Sequence, residues 1–247
     1  MYSLASEALD KIRVEGFSSL MKDAFYYMPL GMLSTQIKTP EDVVLELDGM
    51  SPVTIGRYRA GDNERDEFNL ISECPENLEV IELGAGTGYL TAIMNRKTKN
   101  SHIAVEPNPV AFSALCETLS NNNVNYKPIN KAYHPTNEVV EFPKTKYFKT
   151  NSLADDTGDS VEIESTSLSE LLDVYELEKP LIHVDIEGGE KLLLEEEIEV
   201  IRNRCSGVLI EFHPWRLNKE VDQYIQELNK SDSFSVISRR DNIALFL

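Results

Sequence analysis

From Leu78 to the carboxyl terminus, short apolar runs alternate with longer stretches in which apolar residues recur every three to four positions. The first pattern suits buried strands and the second amphipathic helices, so strands are predicted over 78–83, 101–106, 124–129, 180–186 and 207–212. Helical spacing fills YLTAIMNRK, VAFSALCETLSNN and KLLLEEEIEVIRNR, after the first, second and fourth strands. Strand, helix, strand in series implies an α/β fold with a parallel sheet covered by helices on both faces. The last segment, FSVISRRDNIALFL, differs: two β-rich runs flank Arg240, Asp241 and Asn242, a hairpin signal that predicts an antiparallel closing strand.

Before residue 76 the pattern is another. Leu4, Ala8 and Ile12, then Leu20, Ala24 and Met28, recur at spacings of four, and Pro29 with Gly31 closes what reads as a helical segment with one packing stripe. EDVVLELDGM and SPVTIGRY read as two short strands with Gly49 near their turn, and RDEFNLISEC reads as a helix. Residues 1–75 are thus expected to form a helical and β-hairpin extension to a domain spanning 76–247. Within that domain the insertion 137–170 breaks the alternation with strand-like pieces around a polar, turn-rich centre, Asn151 to Asp159, where a loop is expected. The run EEEIE at 195–199 reads as the solvated face of its helix, because Leu193, Leu194, Ile198 and Ile201 supply a buried side.

Composition narrows the function. The chain has 247 residues, 41% of them hydrophobic, and 42 acidic against 24 basic side chains, for a net charge of -18. Such a field repels phosphate backbones and anionic lipid, so neither nucleic acid nor membrane is expected as a partner. Cys74, Cys116 and Cys205 are odd in number and far apart, which argues against a disulfide framework and a zinc site and for a reducing compartment. The amino-terminal stretch is broken by Glu7, Asp10, Lys11 and Arg13, and no run approaches the roughly 18 apolar residues of a membrane span, so a cytoplasmic location is expected. Oligomeric state leaves no signal.

IELGAGTGYL, residues 81–90, follows an apolar strand and opens a helix. Gly84, Gly86 and Gly88 remove Cβ atoms where the chain must turn sharply and a ligand can approach, at the strand end where open α/β sheets bind ligands. Glu106 ends the next strand 22 residues after Gly84, close to the separation of about 20 at which an acid meets ribose hydroxyls. The spacing is GxGxG rather than the dinucleotide GxGxxG, and Glu82 would repel a pyrophosphate while suiting a cationic ligand. S-adenosylmethionine, with its ammonium and sulfonium, is the cofactor that fits. A nicotinamide-dependent oxidoreductase on a similar sheet, and a scaffold protein that keeps the fold without chemistry, are the rival readings.

With IELGAGTGYL, AVEPNPVAFSALCETLSNNNV, INKA at 129–132, IHVDIEGGE at 182–190 and LIEFHP at 209–214, the chain resembles the FkbM family of S-adenosylmethionine-dependent methyltransferases from about Val80 to Pro214. EPNP and the DxEGxE of Asp185, Glu187, Gly188 and Glu190 are its specific parts. The resemblance implies a Rossmann-like, seven-stranded class I methyltransferase sheet with an antiparallel final strand. It further implies that Gly84, Gly86 and Gly88 line the methionine part of the cofactor, that Glu106 meets the ribose, and that Asn130 lies near the adenine. Family members usually carry Asp in place of Glu82 and Lys in place of His183.

In that fold PLIHVDI is the fourth strand, with its carboxyl end facing the transferred methyl group. His183, Asp185 and Glu187 alternate and so share a face, and the next strand ends in Glu211 and His213. Asp185, Glu187 and His213 are the candidate catalytic residues, with Asp185 foremost and His213 a base of ordinary pKa near 6.5. His183, deeper in the strand, reads as a satisfied core histidine or a partner of Asp185. Asp185, Glu187 and His213 could ligate a metal, but no tight ligand spacing supports one and none is expected. The expected activity is S-adenosylmethionine-dependent methyl transfer to a small-molecule or carbohydrate-type acceptor, and the resemblance implies that the methylated group is a hydroxyl.

Overall fold

A computed structural model describes residues 21–28, 36–97, 102–136, 138–143, 160–230 and 234–247. Ahead of the main sheet, β1 (Gln36–Lys38) and β2 (Val44–Glu46) pair antiparallel and are followed by α1 (Pro52–Ala60) and α2 (Arg65–Ile71). Then come β3 (Val80–Leu83), α3 (Tyr89–Asn95), β4 (His102–Val105), α4 (Pro109–Asn121) and β5 (Tyr126–Ile129). β6 (Ala132–Tyr133), β7 (Val139–Pro143) and β8 (Ser160–Thr166) form a small separate sheet. The remainder is α5 (Leu168–Val174), β9 (Leu181–Val184), α6 (Glu190–Glu196), α7 (Ile198–Arg204), β10 (Gly207–Glu211), α8 (Val221–Leu228), β11 (Val236–Arg240) and β12 (Ile243–Phe246).

The main sheet has seven strands in the order β11-β12-β10-β9-β3-β4-β5. β10, β9, β3, β4 and β5 pair parallel, and β12 runs antiparallel to both neighbours, the closing hairpin expected from the sequence. Because helices cover both faces, the central strands are buried on both sides and are mostly apolar, with Glu82, His102 and His183 buried among them. One face is filled by Ile81, Leu83, Ile182, Val184 and Ile210 against α5 to α8; the other by Val80, Leu181, Leu209 and Leu245 against α1 to α3 and β2. The first strand order reversal lies between β3 and β9, so the ends of these two strands open the crevice in which such sheets bind ligands.

Three local expectations are corrected. SPVTIGRY is helical: the Ser51 side chain accepts from Thr54 N, Pro52 takes the first helical position, and Gly61, at φ 69°, ends α1. The β-branched Val53, Thr54 and Ile55 suggested a strand, but capping decides, and the partner of β2 is β1. Met28, assigned to the buried stripe by its four-residue spacing, is exposed, whereas Tyr27 is buried. The segment Asp23–Tyr27 winds as a π-helical turn, which shifts the register of its side chains, and the Tyr27 carbonyl packs so closely on α1 that a Cβ at Gly56 would lie 2.0 Å from it. Leu4, Ala8, Ile12 and Leu20 lie outside the described residues, as does the centre of the 137–170 insertion.

The third correction concerns EEEIE. The expected single helix breaks into α6 and α7 at Glu197, whose side chain is turned inward and is 5% exposed. Its carboxylate accepts from Leu168 N, Ser169 N, Ser169 Oγ and the Tyr133 hydroxyl at 2.7–2.9 Å, so it caps α5 from across the fold. Glu197→Ala leaves these donors buried without an acceptor, at about 1–3 kcal/mol for each unsatisfied group and about 3 kcal/mol in all after relaxation. Thermal unfolding followed by circular dichroism is expected to fall by about 10 °C. A fall under about 3 °C would show that solvent replaces the cap.

Candidate active site

The glycine loop is built by β3 hooking under its neighbour. Gly84 N and Ala85 N both donate to Val105 O, at 2.9 and 3.0 Å, which bends the chain sharply at the sheet end. Gly84 has φ +86°, and a Cβ there would lie 1.7 Å from the Asp185 carbonyl oxygen; the loop rests directly on the turn that follows β9. Gly86 is the opposite case, since a Cβ built there meets no atom within 4 Å. Gly88 closes the loop at the start of α3, against Leu115.

Glu106 is 7% exposed and points into this loop. One carboxylate oxygen accepts from Gly86 N and the other from Asn108 N, both at 2.8 Å. Burial pushes its pKa up to about 8, and the two backbone bonds offset only part of that. Asn130 does not face outward with its amide nitrogen: Nδ2 donates to the carbonyls of Glu106 and Pro107, clamping the turn that carries the carboxylate. Glu82 lies in the interior, 1% exposed, accepting from Thr91 Oγ1 at 2.5 Å and facing His183 Nδ1 at 3.1 Å. The partner of His183 is therefore Glu82, its register mate on β3, and not Asp185.

Beside the loop, β9 and β10 present a second group. Val184 pairs with Ile210, so Asp185 and Glu211 follow side by side, and His213 lies two residues further on. His213 is 4% exposed; its Nδ1 is 3.0 Å from Glu190 Oε1, and its Nε2 is 3.4 Å from Glu187 Oε2 and 3.7 Å from Asp185 Oδ1. Glu190, fully buried, also accepts from Ile186 N and Gly188 N at 3.2 and 3.1 Å, so the turn of the EGGE stretch holds the acid that holds the imidazole. Trp215, 64% exposed, meets the His213 ring edge-on at 5.2 Å.

Three carboxylates around one imidazole alter its chemistry. Burial alone would lower the His213 pKa, but the Glu190 bond and the charges of Glu187, Glu190 and Asp185 outweigh it and raise the value to about 10. The ordinary pKa expected for His213 is thus replaced by that of an imidazolium charged at neutral pH. Glu211 is pushed up to about 10, by burial first and then by Asp185 and Glu67. Burial likewise raises Asp185, against the lowering pull of His213 and His183.

The structure brings Asp185, Glu187 and His213 together and sets them against the loop of Gly84, Gly86 and Gly88. Glu82 and His183 are paired with each other inside the sheet, both buried. Two residues were missed by sequence reasoning. Glu190 was visible as a member of DxEGxE, but its bond to His213 spans 23 residues and has no local signal. Glu67, buried on α2, faces Glu211 from an element whose docking the sequence does not encode locally.

The family described as Methyltransferase FkbM domain matches residues 82–231, more than half of the chain. No curated protein matches the sequence significantly. Solved structures similar to the chain include the precorrin-6y C5,15-methyltransferase of Geobacter metallireducens, at 13% identity over 74% of this chain and 84% of that one, TM-score 0.44. M. jannaschii TYW2 in complex with AdoMet is 15% identical over 87% of this chain and 84% of that one, TM-score 0.43. The putative methyltransferase yhhF from Escherichia coli is 12% identical over 85% and 96%, TM-score 0.46.

Proposed function

The chain belongs to the FkbM methyltransferase family and is an S-adenosylmethionine-dependent methyltransferase, and from that premise we propose that it methylates a hydroxyl of a small, carbohydrate-type acceptor, with Asp185, Glu187 and His213 at the acceptor side. Membership sets aside the nicotinamide-dependent reading. The observation that carries the proposal is the contact between Gly84 and the Asp185 carbonyl, which puts the glycine loop and the Asp185 rim in van der Waals range. Bound at the loop, S-adenosylmethionine supplies an electrophilic methyl group on a sulfonium. The residues fit such a ligand: the space over Gly86 is open, and Glu106 brings a buried carboxylate to its edge.

In this reading Gly84, Gly86 and Gly88 bring backbone alongside the methionine part, Glu106 accepts from ribose hydroxyls, and Asn130 acts by fixing Glu106. Glu82, already engaged by Thr91 and His183, supports the loop from inside the fold with a negative field. An acceptor hydroxyl must be aligned with the methyl group and must lose a proton, and a carboxylate at a strand end can accept that proton. Asp185 is the residue for it, with His213 holding the geometry from Glu190. The net charge of -18 and the acidic rim favour a neutral acceptor over a phosphate-rich one. No described helix is long and apolar enough to cross a membrane.

Calorimetric titration tests the cofactor half of this assignment with a pH signature. Ribose hydroxyls donate best to an ionised carboxylate, whereas Glu106 in the free protein holds its proton up to about pH 8. Binding below that pH therefore releases a proton, and the affinity for S-adenosylmethionine is expected to fall by up to about tenfold per pH unit from pH 8 to 6 and to be level above 8. Glu106→Gln should weaken binding by about 10- to 100-fold at pH 8 and remove that slope. Equal affinity and equal slope in the variant would place the ribose elsewhere. Label transfer from S-adenosylmethionine to neutral sugars but not to RNA is the expected acceptor result; the reverse pattern overturns the acceptor half.

A further inference from the structure

The Asp185 rim has a feature that methyl transfer does not by itself require. Asp185, Glu211 and His213 each offer one ligand-type atom, and these atoms lie within 4.8 Å of one another. They come from the ends of two adjacent strands, 26 residues apart, so register and not local spacing assembles them. Glu187 Oε2 stands at the same imidazole nitrogen, 3.4 Å away.

Two further observations point to a ligand. Asp185 Oδ1 is covered from solvent and has no hydrogen-bond partner, although it faces His213 Nε2 at 3.7 Å. A covered carboxylate oxygen without a donor is costly. His213, for its part, is held in the manner of a metal-ligating histidine, and a cation bound at Nε2 takes the place of the protons that the ring and Glu211 otherwise keep. Its Nδ1 is tied to Glu190 Oε1, which is itself fixed by Ile186 N and Gly188 N, and this leaves Nε2 aimed at the carboxylates.

We propose that Asp185, Glu211 and His213 form a divalent-cation site at the acceptor side of the active site, with Glu190 as the residue that orients His213. Two carboxylates and one imidazole, with no thiol in the group, suit a hard to borderline ion of the Mn2+ or Mg2+ type that keeps water or acceptor oxygens in its open positions. A cation there polarises an acceptor hydroxyl. It leaves Asp185 a second oxygen for the proton. The site is independent of the acceptor's identity.

The chain carries its own reporter. Trp215 is the sole tryptophan, and its ring centre lies 5.2 Å from that of His213, so paramagnetic Mn2+ bound at His213 quenches its fluorescence. Titration of the full chain with Mn2+ is expected to give saturable quenching, one site per chain by calorimetry, and reversal by excess Mg2+. Asp185→Asn and Glu211→Gln, neither of which replaces a neighbour of Trp215 in that ring contact, should each weaken Mn2+ binding at least tenfold, with unchanged near-ultraviolet circular dichroism showing that the fold is kept. Absence of saturable quenching and of binding heat up to millimolar Mn2+ overturns the site, as does undiminished Mn2+ binding in both variants. S-adenosylmethionine titrated into the same samples separates the two readings: cofactor binding without Mn2+ binding overturns the cation site alone.

Discussion

Asp185→Asn is expected to slow methyl transfer by about 10²- to 10⁴-fold while changing S-adenosylmethionine affinity by less than about threefold. The substitution is nearly isosteric and keeps the backbone contact with Gly84 and the bond from Asp185 N to Leu83 O at 3.0 Å, so the cofactor loop is undisturbed. What is lost is the carboxylate that immediately follows β9 and, together with Glu187, faces His213 Nε2. A 10³-fold loss corresponds to about 4 kcal/mol of transition-state stabilisation, the size appropriate to a proton acceptor or a cation ligand and far above that of a rim hydrogen bond. Stability should move the other way. Burial raises the Asp185 pKa against the pull of His213 and His183, so a neutral side chain is favoured at this position and the melting temperature is expected to rise by a few degrees. Single-turnover label transfer to the best acceptor of a sugar panel, with calorimetry and thermal melts on the same protein, reads all three quantities. Unchanged turnover would move the proton-accepting role to Glu187.

How much of this was legible depended on the range of the interactions involved. The five parallel strands and the closing hairpin announce themselves because burial on both faces forces apolar runs, and the hairpin turn forces polar residues at 240–242. The loop was equally plain, since sharp turns and close approach need glycine and the partner acid falls at a fixed distance down the chain. α1 was misjudged although its evidence was local: Ser51, Pro52 and Gly61 are start and stop signals that outweigh three β-branched residues. Glu197 and Glu190 were opaque for a different reason. Glu197 stands in a run of ordinary helix-surface acids and Glu190 at an ordinary helix start, and only tertiary docking turns one toward Leu168 and Tyr133 and the other toward His213. The same holds for the Asp185, Glu211 and His213 group, which exists because β9 and β10 pair in one register; a shift by one residue would turn Glu211 to the opposite face.

Gly84→Ala and Gly86→Ala, two identical changes two residues apart, are expected to fail in opposite ways. At Gly84 the added Cβ would sit 1.7 Å from the Asp185 carbonyl oxygen and 2.7 Å from its carbon, and both are backbone atoms that no rotamer can move. The loop cannot retreat either, because Gly84 N is bonded to Val105 O and Asp185 N to Leu83 O. A left-handed φ of +86° adds about 1–2 kcal/mol for alanine. The total is on the order of 4–5 kcal/mol, enough to lower the melting temperature by about 10–20 °C and to abolish cofactor binding together with the fold of the loop. At Gly86 the Cβ meets nothing within 4 Å, so the protein pays only the smaller conformational term at φ +54° and should melt within a few degrees of the parent. Its methyl group nevertheless enters the open space beside Glu106, and S-adenosylmethionine affinity is expected to fall by at least about tenfold. Melting curves and calorimetry on the two variants distinguish a glycine needed by the packing from one needed by the ligand. Full affinity in Gly86→Ala would mean that the space over Gly86 is not where the cofactor lies, and would separate Glu106 from the ribose with it.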